Sequence, residues 1–262
     1  MKKTVFLVAL ALAACTSSRP LVDLDHADIV DLSYAFDAQT LYWPNSPQGF
    51  ELKQLAFGPT PGGYFYSSNL FTAPEHGGTH LDAPIHFAEH GVTLDQIPLR
   101  QLVAPAVVID VRSKTANDAD YRLTANVVRD WEAAHGPIAA GTIVLLDTGW
   151  ASRYPNRKAY FGDDTPGATN NLHFPSFGED AARLLVNERH AAAIGLDTAS
   201  IDYGPSANFI VHQVAMGANV PGFENLTNLD RLPARGATVI ALPMKIKGGS
   251  GGPLRVIALV PR

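Results

Sequence analysis

The chain has 262 residues, of which 46% are hydrophobic and 17% are charged. This balance excludes an intrinsically disordered chain, and the length suits one globular domain with its own core. The formal net charge is -5, and no cluster of Lys or Arg occurs after residue 3. Such a charge pattern argues against nucleic acid, whose phosphates select basic patches. A small-molecule partner is expected instead.

The N-terminus has the pattern of an export signal. Lys2 and Lys3 supply positive charge, an apolar run from Val5 to Ala14 follows, and small residues precede Cys15. The apolar run is too short to span a bilayer. We therefore exclude this segment from the predictions of the fold.

Residues 12–15, Leu-Ala-Ala-Cys, resemble the lipobox of bacterial lipoproteins. The resemblance implies a signal peptide over residues 1–15, lipidation of Cys15, a tether over residues 16–28 and a main domain over residues 29–262. The protein would then be anchored to a bacterial membrane at its periplasmic face. A soluble periplasmic protein is the alternative. Because Cys15 is the only cysteine, an intrachain disulfide and a thiol nucleophile elsewhere are excluded.

After residue 29, short apolar runs alternate with loops rich in Pro and Gly, without an internal repeat. Five of these runs are rich in β-branched residues and predict largely buried strands. They are Ala106–Val111, Thr142–Leu146, Ala192–Leu196, Ala237–Leu242 and Leu254–Val260. Together with the helical segments between them, they predict a single α/β domain.

Two segments have the spacing of amphipathic helices. One is capped by Thr124 and continues to about Ala134. The other covers residues 180–189, where Ser176 and Glu179 have the spacing of a capping box.

Three long loops are expected between the predicted strands and helices. Functional sites are often found on such loops, because a rigid scaffold positions them. They are Tyr42–Ser67, Tyr154–Phe177 and Lys247–Pro253. The last contains the glycine-rich run 248–252, which lacks the Gly-Lys-Ser/Thr ending of a phosphate-binding loop and opens no helix. We interpret this run as a mobile turn between two strands.

Four possible metal ligands or proton carriers lie within eleven residues: His76, His80, Asp82 and His86. A surface turn would explain any one histidine, but clusters of ionisable residues are rare unless they are paired or bind metal. Imidazole and carboxylate suit zinc or manganese, and the lack of cysteine ligands argues against a structural zinc site. The interspersed glycines and proline favour an extended segment, in which alternate residues from His80 to His86 would share one side.

The run His76-Gly-Gly-Thr-His80-Leu-Asp82-Ala-Pro-Ile-His86-Phe87 matches the form His-x-Gly-Thr-His-x-Asp-x-Pro-x-His-Phe. This form is the signature of the cyclase family of metal hydrolases, which includes bacterial-type kynurenine formamidases and isatin hydrolases. The resemblance extends to Asp31–Ser33, Thr148–Trp150, Gly195–Asp202, Leu242–Lys245 and Pro253–Ala258. The chain is identified as a member of this family. Membership implies a single α/β domain with a mixed, partly barrel-like sheet flanked by helices, and commonly a homodimer.

The same resemblance implies the roles of the site residues. His76, His80 and Asp82 would be metal ligands, and His86 would be the catalytic acid/base group. His212 and Glu224 have the twelve-residue separation of a further ligand pair in the formamidases, which would complete a two-metal site. Isatin hydrolases of this family are associated with a single manganese. The resemblance therefore implies one or two ions of zinc or manganese. Asp197, Ser200 and Asp202 are interpreted as a turn or as residues that orient the ligands.

The resemblance implies a hydrolase that cleaves a C–N amide bond in a small, aromatic substrate such as N-formylkynurenine or isatin by metal-activated water. Trp43 aligns with an aromatic residue of the formamidase substrate pocket, although it could instead anchor a loop on the core. Tyr34 stands where formamidases commonly have His, which weakens the transfer of that substrate. A lactonase or other ester hydrolase, and a metal-dependent binding lipoprotein, are the alternatives. Retention of His86 argues against the binding protein, because pure binding needs no proton carrier.

Overall fold

The structure, a computed structural model, describes residues 24–262. The predicted signal peptide, Cys15 and most of the predicted tether lie outside this range. The first strand begins at Ala27, so the last two residues of the predicted tether belong to the sheet. Between residues 24 and 262, no helix combines the length and hydropathy that crossing a bilayer requires.

The described strands are β1 (Ala27–Asp31), β2 (Glu51–Pro59), β3 (Phe65–Thr72), β4 (His80–Asp82), β5 (Val103–Asp110), β6 (Arg122–Leu123), β7 (Ile143–Asp147), β8 (Ser176–Phe177), β9 (Ala193–Leu196), β10 (Gly222–Glu224), β11 (Arg235–Pro243) and β12 (Gly251–Pro261). The described α-helices are α1 (Leu99–Leu102), α2 (Arg112–Thr115), α3 (Ala125–His135), α4 (Arg157–Phe161), α5 (Glu179–Arg183) and α6 (Ile210–Gly217). A π-helical turn, Leu184–Glu188, extends α5.

Seven strands form a closed barrel in the order β12, β11, β5, β7, β9, β10 and β4, and β4 pairs back onto β12. Closure depends on the eleven-residue length of β12. Its first residues pair with β4, and its later residues pair with β11 and β1. Strands β5, β7, β9 and β10 run parallel, whereas the other neighbours are antiparallel. The predicted single α/β domain with a mixed, barrel-like sheet is thereby confirmed.

All five predicted strands are present, as is the first predicted helix. The Thr124 side chain caps α3 by accepting a hydrogen bond from the backbone N–H of Val127. The second helix is present, but its predicted capping box is wrong. Ser176 lies in β8 and donates to the backbone carbonyl of Ser200, and Gly178 is the N-cap residue. Pairing of β8 with β6 engages this segment before the helix begins.

Two layers of apolar residues hold the barrel together. Its interior is filled by small and branched side chains such as Ala106, Val108 and Ile143. Outside, α3, α5 and α6 cover the parallel strands, where Trp131 packs and donates to the Val108 carbonyl at 2.9 Å. Burying each large apolar side chain stabilises the fold by about 1.5–3 kcal/mol. The strands that carry the site are therefore fixed on a packed scaffold.

Strands β2 and β3 form a separate antiparallel hairpin, which we call the arm (residues 51–72). The prediction of a long loop over Tyr42–Ser67 is therefore wrong for most of that segment. The arm has large apolar side chains on both faces, so its sequence lacks the alternation that identifies a half-buried strand. Eight of these side chains are 48% to 68% exposed. They are Leu52, Leu55, Phe57, Tyr64, Phe65, Tyr66, Leu70 and Phe71.

Candidate metal centre

The short strand β4 positions the centre of the site. It is inserted between β10 and β12, so that His80 lies opposite Glu224 and Asp82 lies opposite Gly251. His80 and Asp82 alternate on the strand and share one side, as the sequence predicts. The extended conformation does not continue to His86, which lies in a 3₁₀ turn that begins at Pro84. That proline ends the strand because it has no N–H to donate to the ladder.

Two glycines bring His76 back towards β4. Gly77 has a φ of +154° and Gly78 has a φ of +55°, and residues other than glycine rarely adopt such backbone conformations. A Cβ at Gly77 would also overlap the ring of Tyr42, which pairs with it across an isolated bridge. The two glycines are thus required by a tight turn that places His76 beside Asp82.

The five predicted ligands converge. Asp82 is central: its Oδ1 lies 2.6 Å from His76 Nδ1 and 3.1 Å from His80 Nε2, and its Oδ2 lies 3.4 Å from His212 Nε2. Glu224 lies 3.5 Å from His80 Nε2 and 3.4 Å from His212 Nε2. Asp82, His80, His212 and Glu224 are all buried, whereas His76 is partly exposed.

Burial and mutual charge shift the pKa values of these groups. Burial alone would lower the pKa of His80, but the adjacent Asp82 carboxylate raises it to about 9. Burial likewise opposes the shift of Asp82, whose pKa is nevertheless held well below its usual range by His80. Burial and the neighbouring Asp82 raise the pKa of Glu224. Two buried carboxylates that face the same imidazole rings thus favour positive charge at this point of the barrel.

The donor atoms fit a divalent metal ion. His80 Nε2 and Asp82 Oδ2 are buried and lack a hydrogen-bond partner, which is costly unless a ligand satisfies them. Single ligand atoms of His76, His80 and Asp82 all lie within 4.8 Å of one another, as do those of Asp82, His86 and His212. Imidazole nitrogens and carboxylate oxygens are suitable ligands for zinc and manganese.

The Nδ1 atoms of His80 and His212, which point away from Asp82 and Glu224, already have hydrogen-bond partners. His80 Nδ1 lies 2.9 Å from the backbone oxygen of Gly78, and His212 Nδ1 lies 2.7 Å from Asp202 Oδ2. Asp202 also accepts from the His212 backbone N–H at 3.0 Å. Such bonds leave the opposite ring nitrogen free for a metal. Asp202 therefore orients a candidate ligand, whereas Asp197 accepts from Thr148 and Ala151.

His86 lies next to the ligands. Its ring stacks on His76, with centroids 3.8 Å apart and planes 18° apart. Burial lowers the pKa of His86 to about 4. The ring is consequently neutral near pH 7 and can accept a proton.

A cavity of about 260 Å³ opens onto this cluster. Its walls include Trp43, Phe87, Phe161 and Phe209, and its polar end includes His80, Asp82, His86, His212 and Glu224. Trp43 meets Phe161 and Phe209 edge to face, with ring centroids 6.4 and 6.2 Å away. The cavity thus combines an aromatic wall with a cluster that could bind a metal.

Two residues of the site were missed in the sequence. The first three residues of the glycine-rich run, 248–250, lie in the turn between β11 and β12, whereas Gly251 and Gly252 belong to β12. Ser250 in that turn lies 2.9 Å from His76 Nε2. Ser250 also donates to Glu75 at 2.7 Å. Only the position of Glu75 next to His76 was a signal, since Ser250 is 174 residues away.

Tyr34, which departs from the formamidase pattern, stacks on Tyr154 at 3.8 Å and donates to the backbone carbonyl of Ala151. It is not among the residues that line the cavity.

Comparisons with known proteins agree with this geometry. The family model described as "Putative cyclase" matches residues 30–203. An isatin hydrolase from Roseibium aggregatum is 37% identical over 209 residues, which cover 76% of this chain and 77% of that protein. A kynurenine formamidase from Sphingopyxis alaskensis is 31% identical over 229 residues, or 87% of this chain and 96% of the relative. The solved structure of isatin hydrolase A from Ralstonia solanacearum has a TM-score of 0.83 and 34% identity, covering 90% of this chain and 93% of that one. The chain therefore belongs to the cyclase family, and its site is that of a metal-dependent amide hydrolase.

Proposed function

We propose that this enzyme hydrolyses the C–N bond of a small cyclic aromatic amide of the isatin type. One observation carries the proposal: Trp43, Phe161 and Phe209 line the same cavity as His80 and Asp82. Aromatic walls favour an aryl ligand through stacked and edge contacts, so a bound ring would present its carbonyl to the polar end. The similarity to isatin hydrolases supports this substrate class. N-formylkynurenine is the second candidate, supported by the formamidase relatives.

In this proposal His76, His80 and Asp82 would hold one divalent ion, and His212 and Glu224, together with Asp82, would hold a second. Zn²⁺ and Mn²⁺ both suit these ligands. A bound ion would lower the pKa of a coordinated water and polarise the amide carbonyl. Sharing is chemically reasonable because the two oxygens of Asp82 face different histidines.

His86 carries the proton. Its neutral ring accepts a proton from the attacking water as the water oxygen bonds to the carbonyl carbon. The C–N bond then breaks, and His86 returns the proton to the leaving nitrogen. Water is thereby divided between a carboxyl group and an amine, which stay in one molecule when the amide is cyclic.

Trp43 orients the substrate ring. It is held against Phe161, Phe174 and Phe209 by edge contacts, which leaves its position defined before a ligand binds. A preorganised wall lowers the entropic cost of binding.

Steady-state kinetics on the purified protein, supplied with Mn²⁺ or Zn²⁺, tests this function. Isatin, N-formylkynurenine and an aromatic lactone of similar size are compared. The expected order of kcat/KM places isatin first. Turnover of the lactone without turnover of either amide would replace the proposal with an esterase. Binding of isatin without turnover of any compound would favour the binding lipoprotein.

The arm supports a proposed homodimer. Soluble monomers rarely expose contiguous apolar patches of more than a few hundred Å². The eight large side chains are spread over both faces of the arm, and together they offer on the order of 800 Å² of apolar surface, about one partner's share of a standard interface. Strand β3 ends at Thr72, four residues before His76, so a second copy bound at the base of the arm would lie near the site.

We further propose that the protein is exported and anchored through a lipidated Cys15 at the periplasmic face of a bacterial membrane. The support comes from residues 12–15 and the charged, apolar segment that precedes them. Expression in a bacterium, followed by membrane fractionation, tests the anchor. The wild type should sediment with membranes and Cys15→Ala should be released. A wild-type protein that is entirely soluble in the periplasm would contradict the anchor.

A further inference from the structure

We infer that Glu75 and Ser250 are positioning residues that set His76 in its metal-binding tautomer. The inference rests on the proposed role of His76 as a ligand. It concerns a series of contacts between side chains: Glu75 Oε2 to Ser250 Oγ at 2.7 Å, Ser250 Oγ to His76 Nε2 at 2.9 Å, and His76 Nδ1 to Asp82 Oδ1 at 2.6 Å.

The direction of these hydrogen bonds follows from the donors available. A carboxylate only accepts, and a serine hydroxyl has a single proton to donate. Glu75 Oε2 receives that proton, and it also receives the backbone N–H of Ser250 at 3.0 Å. The oxygen of Ser250 can then only accept from His76, so the proton of the neutral imidazole lies on Nε2. Nδ1 is then unprotonated, and its 2.6 Å contact with Asp82 Oδ1 brings two lone-pair atoms together with no proton between them, an arrangement that a metal cation would satisfy.

Gly251, the residue after Ser250, leaves the space that the His76 ring occupies. A Cβ at Gly251 would lie 2.5 Å from His76 Cε1, 2.9 Å from His76 Nδ1 and 2.7 Å from the backbone oxygen of Leu81. Gly251 pairs with Asp82 at the start of β12, so the ring lies against the backbone of the barrel. The turn before β12 and the first residue of β12 therefore both act on His76, because Ser250 bonds to the edge of the ring and Gly251 leaves space for it.

The three histidines of the proposed ligand set thus differ in how they are oriented. His80 uses a backbone oxygen and His212 uses the buried Asp202, whereas His76 uses a hydroxyl supported by a carboxylate. His76 is also the one of the three whose side chain is substantially exposed, at 25% against 3% and 4%. An exposed ring is less restrained by packing, so its hydrogen bonds have a larger part in holding it.

The affinity for Mn²⁺ or Zn²⁺, measured by competition with a chelating indicator and without substrate, tests the inference. Ser250→Ala should weaken binding by about 10- to 100-fold, the usual effect of losing a partner that orients a metal ligand. Ser250→Thr keeps the hydroxyl and should restore most of the affinity. Glu75→Ala frees the hydroxyl proton to turn towards His76 Nε2, so it should weaken binding to a similar extent and serves if Ser250→Ala does not fold. Ser152→Ala is the matched control, because this exposed hydroxyl donates to the Gly149 carbonyl outside the site.

A second comparison separates this inference from the assignment of ligands. In a His76→Ala background, Ser250→Ala should have no further effect on metal affinity, since the two changes remove one interaction. Wild-type affinity in both Ser250→Ala and Glu75→Ala would overturn the inference, as would failure of Ser250→Thr to restore binding. Wild-type affinity in His76→Ala would instead show that His76 is not a ligand, which is a failure of the proposed function.

Discussion

The metal centre and the arm depart in opposite ways from the usual distribution of side chains in a globular protein. The centre buries two carboxylates and two histidines, and His80 Nε2 and Asp82 Oδ2 have no hydrogen-bond partner there. The arm exposes eight large apolar side chains on a two-stranded hairpin. An isolated hairpin is only marginally stable in water, and buried unpaired polar atoms are costly.

The two regions therefore require different kinds of binding partner. Charged groups in the barrel need a compact cation, since only positive charge balances Asp82 and Glu224 together. The arm needs an apolar surface of similar size, which the second copy of the chain in the proposed dimer would supply. The physical chemistry of each region thus indicates the kind of partner that completes it.

The largest expected effect is the loss of metal from the centre. His80→Ala removes a buried metal ligand that faces both carboxylates, so we expect loss of all bound ions and activity at background level.

His212→Ala should lower the ratio of metal to protein by about one ion while the site of His76 and His80 stays filled. Elemental analysis beside kinetics measures both.

The exposed His90 offers a control, since His90→Ala should keep the wild-type metal content. One ion per chain in the wild type, unchanged in His212→Ala, would show a mononuclear site and remove His212 from the ligands.

Loss of His86 should leave the ions and slow the reaction. His86→Ala removes the proton carrier, and removal of a general acid/base group typically lowers turnover by about 10² to 10⁴. Metal content and kcat are measured on the same sample. A metal-free His86→Ala protein would place His86 among the ligands, which its short distance from Asp82 and His212 makes geometrically feasible.

Charges placed on the arm should separate the proposed dimer without changing the metal. Phe57 and Phe65 pack edge to face at 5.1 Å and are 68% and 61% exposed. The double variant Phe57→Lys and Phe65→Lys should sediment as a monomer in analytical ultracentrifugation, whereas the parent protein, released from any anchor by Cys15→Ala, should sediment as a dimer. Leu99→Lys, at an exposed apolar residue of α1, is the control and should stay dimeric. A dimer that persists in the arm variant would locate the interface elsewhere.

The smallest expected effect is a change in the pH dependence of thermal stability, caused by the buried carboxyl group of Asp147. Burial and the nearby Asp197 raise the pKa of Asp147 to about 7, although Arg112 lies 3.3 Å away. Because the folded state holds this proton more tightly than the unfolded state, the contribution of Asp147 to stability is fully present below pH 3.8 and is lost as the pH rises through 7.

Asp147→Asn should remove this pH dependence. Between pH 5 and pH 8, the Tm of the variant should rise relative to that of the wild type by a few degrees. Asp110→Asn provides the control, since Asp110 contacts the same Arg112 but its pKa is lowered, which places its titration below this range. A constant Tm difference between wild type and Asp147→Asn would contradict the assigned pKa.

Local patterns were sufficient to predict much of the protein. The spacing of His76, His80, Asp82 and His86 indicated a metal site because these residues are close in sequence, and the mixed, partly barrel-like sheet followed from the family resemblance. The five buried strands and the helix after Thr124 were also predicted, since burial of β-branched runs and capping are short-range signals.

Tertiary structure decided what depends on distant segments. The sequence around Ser250 did not predict its contact with His76. The two residues are 174 positions apart, and they meet only because β12 pairs with β4 when the barrel closes. The arm resembled a loop because neither of its faces is buried within the chain. Ser176 matched a capping box, but its pairing in β8 overrode the local preference. In each case the register between remote strands, which local spacing does not encode, fixed the contact.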